Sequence, residues 1–134
     1  MGSMMINHLA VIAATLSDFL VGALWYSPLL FYKSWMTANG FSDESLKKGN
    51  AGVIYGLTLV LVLIISYNLA IFLGDAKTDA VWGLTAGFLA GVWAAAGFAI
   101  IGLFERRTVV YILINTGYLL VAFSLKGLII GAWR

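Results

Sequence analysis

Four uninterrupted apolar runs govern what this chain can become: residues 5–26, 51–73, 80–104 and 108–130. Each supplies the ~20 residues that a helix rising ~1.5 Å per residue needs to cross a ~30 Å hydrocarbon layer. The runs are continuously apolar instead of alternating at every second residue, which favours helices over a transmembrane β-barrel. Composition agrees, since 62% of the 134 residues are hydrophobic and 10% charged, whereas a soluble domain carries about a quarter charged residues. Twelve of the fourteen charged residues fall between or beyond the runs; only Asp18 and Lys126 fall inside. The expected architecture is a single all-α membrane domain over residues 1–134, a four-helix transmembrane bundle. The first run lacks a basic n-region and matches its neighbours in length, so it reads as a span and not as a cleaved signal peptide. Met1, Gly2 and Ser3 read as a cloning remnant ahead of a start at Met4 or Met5.

The connections differ in kind. Within residues 27–50, Ser27 and Pro28 form a helix start and Asn39 with Gly40 a helix stop, because proline at the first helical position forfeits no needed N–H and glycine accepts the left-handed exit. The residues between mix Leu29, Leu30, Phe31, Trp35 and Met36 with Lys33, Ser34 and Thr37. They predict a short amphipathic helix over about 28–39, lying in the interface or folded back on the bundle. A second start falls at Ser42, with Asp43 and Glu44 suited to a helix N-terminus and Lys47 and Lys48 to its last turn. The connections at 74–79 and 105–107 are tight and predict antiparallel neighbours, spans two with three and three with four. One side of the membrane receives Lys33, Lys47, Lys48, Arg106 and Arg107, the other Lys77 and Arg134. The positive-inside rule then puts both termini outside the cytoplasm of a multi-pass cell-membrane protein.

Membrane helices associate through close backbone approach and hydrogen bonds, so small residues at every fourth position mark packed faces. Span three carries Gly83, Gly87, Gly91, Ala95 and Ala99 in register, a helix-packing interface toward another helix of this chain or of a second copy. Shorter repeats are Gly52 with Gly56 and Gly127 with Gly131. On span one, Ala10, Ala13, Ala14, Ser17, Asp18 and Gly22 share a face, and on span four Tyr111, Asn115, Tyr118, Ala122 and Lys126 do. These faces are natural partners. Counted from the ends of their spans, Asp18 lies roughly 13 Å deep and Asn115 roughly 10 Å, with Tyr118 slightly deeper. Asp18, Asn115 and Tyr118 are therefore the expected polar or ion site, with Asp18 either a protonatable, cation-binding group or a hydrogen-bonding peg that fixes helix register. Lys126 is expected to miss Asp18 by about 10 Å and to snorkel to the far interface. His8 reads as an interfacial, water-satisfied ring. Trp25, Tyr26 and Trp35 form one aromatic belt and Trp82 and Trp133 the other, while Trp93 falls near midplane, beyond either.

Residues 22–31 (GALWYSPLLF), then Trp35-Met36, Glu105-Arg106-Arg107, Ile114-Asn115-Thr116-Gly117-Tyr118, and Gly127 with Gly131 and Trp133 resemble a bacterial family of small integral membrane proteins. That family is catalogued as domain of unknown function number seventeen sixty-one. The resemblance runs from about Met5 to the C-terminus and implies four transmembrane helices in a prokaryotic cytoplasmic membrane; it implies no activity. The Trp-Tyr-Ser-Pro exit from span one is expected to bring Trp25 and Tyr26 to the Glu105-Arg106-Arg107 turn, with an arginine stacked on an aromatic ring and Glu105 as counter-ion. That cluster is either an interfacial anchor or a headgroup or anion site.

Several function classes are disfavoured. The chain has no cysteine and one histidine, which leaves no thiolate chemistry and no evident metal site, and no cofactor motif occurs. A net charge of +2 spread along the chain is not the basic stripe that nucleic acid requires. No nucleophile is paired with a base, so the chain reads as a non-enzyme with membrane lipids as partners. Two functions remain. One is a small transport or permeation protein, acting as a homo-oligomer with a dimer favoured, since a single bundle is too thin for a substrate path. The other is a membrane scaffold or lipid-binding module in which Asp18 is packing glue.

Overall fold

The computed structural model describes residues 6–134; the supposed remnant at residues 1–3, and the first span's start at Met5, lie outside the described residues. The described chain is all helical, in the order α1 (His8–Trp25), α2 (Tyr32–Asn39), α3 (Asp43–Lys47), α4 (Ala51–Phe72), α5 (Ala80–Phe104) and α6 (Val109–Ala132). Four of these, α1, α4, α5 and α6, are long and apolar enough to cross a bilayer. Each of the four begins on a polar side chain that accepts from the first turn: Asn7, Asn50, Asp79 and Thr108. Such caps satisfy N–H groups that the membrane interface would otherwise leave bare.

The predicted interfacial helix starts four residues late. Residues 27–31 close instead into a compact turn, with the Phe31 N–H donating to the Trp25 carbonyl and the Tyr32 N–H to that of Ser27, each at 3.1 Å. Pro28 thus opens a turn, and α2 follows it. The helix ends as expected at Gly40, whose φ of 68° is left-handed. It packs against α6, and Trp35 meets Tyr26 and Phe41 edge-on. The second expected start is realised as α3, where Ser42 and Ser45 form a reciprocal capping box.

The tightest seam joins α5 to α6. Gly83, Gly87 and Gly91 run along residues 119–131 so closely that a Cβ on Gly83 would strike the Gly127 carbonyl and sit 2.8 Å from the Gly131 Cα. The small-residue stripe of span three is therefore consumed inside the chain, by the Gly127–Gly131 pair, and is not left for a second copy. α1 packs on a neighbouring face of α6 and on α4, while α4 reaches α6 only to a lesser extent. Spans three and four are close neighbours as expected; spans two and three are not. α4 and α5 approach near their connecting loop, where Phe72 meets Trp82. Farther along, a groove of about 380 Å³ separates them, lined among others by Ile64, Asn68, Trp82, Trp93 and Phe123. The physical reason is one-sidedness: α5 turns Gly83, Gly87 and Gly91 to α6 and its bulk, Trp82, Leu89 and Trp93, to α4. Trp93 lines this groove and is 80% exposed.

Gly127→Val should destabilise the fold by about 3 kcal/mol or more, because backbone meets backbone at that point and neither helix can yield. Gly97→Ala, whose Cβ would meet nothing within 4 Å, should leave unfolding in detergent unchanged. Equal stability of the two variants would contradict this seam.

Candidate functional site

Asp18 and Lys126 are 5% and 0% exposed. Both belong to the contact between α1 and α6. The Lys126 ammonium donates to one oxygen of the Asp18 carboxylate, and the Tyr118 hydroxyl donates to the other. Tyr118, Ala122 and Lys126 follow one another at single-turn spacing on α6. Ala122, 1% exposed, is small enough to let α1 come close, so that the carboxylate slots between the two longer side chains. Lys126 also lies over the Phe123 ring, 4.8 Å from its centroid. The result is a charge-balanced cluster in which each carboxylate oxygen has a donor and the ammonium has a carboxylate and an aromatic face, the pairing that a low-dielectric interior demands of buried charge.

This corrects the expectation for Lys126, which does not snorkel and is the principal partner of Asp18. Counting rises from a common plane misplaces it because α1 and α6 do not end level. The Trp25 indole N–H donates to the Ile114 carbonyl at 2.8 Å, and the Trp25 ring covers Gly117. The last residue of α1 is thus level with the second turn of α6, which overhangs by roughly 9 Å. Seven residues back along α1, Asp18 comes level with Ala122, midway between Tyr118 and Lys126.

The same overhang separates Asn115 from Asp18. Asn115 accepts from the Tyr26 hydroxyl at 2.6 Å and donates to the Tyr111 carbonyl at 2.9 Å, forming a second polar layer nearer α2. The rings of Tyr26 and Tyr118 lie 5.6 Å apart, so phenol packing joins the layers. Of the expected trio Asp18, Asn115 and Tyr118, the structure brings Tyr118 to Asp18 and gives Asn115 to Tyr26. Between α1 and α4, Thr15 donates to Ser66 at 3.0 Å, and His8 finds Tyr67 at 3.0 Å instead of relying on water alone.

The expected arginine–aromatic cluster is also divided. Trp25 packs on Phe31 and Tyr26 turns inward to Asn115, while the Arg107 guanidinium sits over Tyr111, 4.8 Å from its centroid. The α6 overhang carries the Glu105-Arg106-Arg107 turn beyond the end of α1, where α2 is its neighbour. There, Arg106 and Arg107 border a cavity of about 490 Å³ with Glu105, Thr108 and Ala38. It adjoins another of about 400 Å³ bordered by Lys33, Ser34 and Thr37. Sequence reasoning did not assign Lys33, Ser34 and Thr37 to this site, although they formed the visible polar face of α2. Among the described residues no three histidine, cysteine or carboxylate side chains gather to hold a metal ion.

Fold and site together define a four-span helical membrane protein built around a buried carboxylate, ammonium and phenol. A family model described as protein of unknown function (DUF1761) matches residues 9–131, and the chain belongs to that family. No curated protein and no solved structure matches it.

Tyr118→Phe removes one of the two donors to Asp18 and should lower stability by about 1–2 kcal/mol, with a shift of the Asp18 carboxylate stretch in the infrared spectrum. Tyr26→Phe, which touches Asn115, should leave that band in place.

Proposed function

We propose that the protein is a non-enzymatic membrane scaffold and lipid-binding module, with Asp18, Lys126 and Tyr118 as the clamp that fixes its helices. One observation carries this reading: the carboxylate is enclosed and spent on Lys126 and Tyr118, leaving it no free face toward a permeating ion. In this reading the five basic residues of the α2 end face the cytoplasm and both termini lie outside, following the positive-inside rule. A dimer, where one forms, uses the outer face of α4 in place of the α5 glycines. Gly56 has open space beside it there, and Tyr55, Leu57 and Leu59 are exposed. Neither a cofactor nor a nucleic acid belongs to this role.

A second reading, transport through a homo-oligomer, draws on the succession Tyr26, Tyr118, Asp18 and Lys126, which leads polar groups from the α2 end into the core. One set of variants separates the two. Asp18→Asn or Lys126→Met alone strands a buried partner and should cost about 3–5 kcal/mol, and the double variant should recover most of it. In proteoliposomes the wild type should pass protons and cations no faster than protein-free vesicles. A wild-type flux that the folded double variant abolishes would establish transport and end the scaffold reading.

A further inference from the structure

The charges at the α2 end have no acidic partners of their own. Among the described residues the one salt bridge is the buried Asp18–Lys126 pair, so neither Lys33 nor Arg106 is neutralised by a carboxylate. The two cavities they border share Ala38 and Thr108, which makes one continuous cleft between α2 and the α5–α6 turn. Lys33, Arg106 and Arg107 outnumber Glu105 in its walls, and Ser34, Thr37 and Thr108 add hydroxyls. The Thr108 oxygen accepts from the Tyr111 N–H, which leaves its own proton to donate.

Two further features narrow what the cleft takes. Its floor includes Val110, and below it Val109, Val110 and Leu113 are 68%, 51% and 64% exposed, an apolar track down the outside of α6. A free inorganic anion has no use for such a track; a headgroup joined to an acyl chain does. Arg106 itself stands at φ 59°, at the end of α5, where the Arg106 and Arg107 N–H groups return to the Leu103 and Gly102 carbonyls. Helices that close this way commonly place glycine at that position. A guanidinium there is kept against local backbone preference, beside a cleft that it helps make positive.

We propose that this cleft binds the phosphate of an anionic phospholipid, with Lys33 and Arg106 on the phosphate oxygens, the hydroxyls of Ser34, Thr37 and Thr108 around them, and an acyl chain along Val110 and Leu113. The site deepens the lipid-binding reading above and rests on it. Arg106→Gly is the informative variant, since it relieves the backbone while deleting the charge: the protein should be at least as stable yet lose lipid, whereas a purely structural role for the arginine predicts lower stability with lipid binding kept. Detergent-purified protein titrated with phosphatidylglycerol or phosphatidylcholine, and read by native mass spectrometry, should retain phosphatidylglycerol preferentially. Arg106→Gly combined with Lys33→Gln should weaken that preference about thirtyfold, at roughly one charge-contact's worth per residue, while millimolar inorganic phosphate should not displace the lipid. Equal retention of the two lipids by the wild type, an unchanged preference in the double variant, or displacement by phosphate alone would each overturn the site. The Asp18→Asn/Lys126→Met protein serves as the control, because it alters the clamp and leaves the cleft intact. Preserved lipid selectivity beside a measured ion flux would sink the scaffold reading alone, and lost selectivity without flux would sink this site alone.

Discussion

An ammonium and a carboxylate that have both left water must find each other, and this requirement organises the bundle. Either charge alone in the hydrocarbon core would cost on the order of 3 kcal/mol even on lenient insertion scales. Together, with Tyr118 filling the second carboxylate oxygen, they form a cluster that tolerates only one register of α1 against α6. A shift of α1 by one turn would move Asp18 to the level of Tyr118 or Lys126 and vacate the place opposite Ala122. The ion pair therefore specifies the register of α1 against α6, a role that buried charge takes in some proteins. Strength comes from the glycine seam on the adjoining face of α6, where close backbone approach supplies the dispersion contacts that hydrophobicity cannot supply among lipids. α6 is thus the central element, clamped by charge against α1 and by shape against α5.

The family and the four spans were legible in the sequence because hydropathy and length act locally. The facing of α1 and α6 was legible for a similar reason, since Asp18 with its small neighbours and the Tyr118–Lys126 row each follow helical spacing. What escaped was the offset between helices. Nothing within residues 108–132 states how far that helix projects past its neighbour; the Trp25 contacts to Ile114 and Gly117 decide it, and they are made across 89 or more residues of chain. From this single missing length followed the misplaced Lys126, the reassigned Asn115 and the divided arginine–aromatic cluster. The α4–α5 separation was hidden for another reason. A short loop constrains only the ends it joins, and Leu89 and Trp93 act farther along.

The overhang also gives the α2 end its character. Because α6 projects past α1, its first turns would stand bare at the interface, and α2 fills that space. The polar face of α2 then lines up with the basic turn, so the length mismatch that seals Asp18 in the core also opens a positive cleft at the membrane surface. The core of the bundle is enclosed and locked, and the α2 end is cationic and accessible.

The distance along the chain between the paired charges has a consequence for biosynthesis. Asp18 is made 108 residues before Lys126, an interval of roughly 5–20 s at ordinary elongation speeds. For most of it, α1 is complete while the cation that pairs with its carboxylate among the described residues is still untranslated. α1 is consequently among the last of the described helices to settle into its final packing, since its carboxylate reaches its ammonium only when α6 has been made.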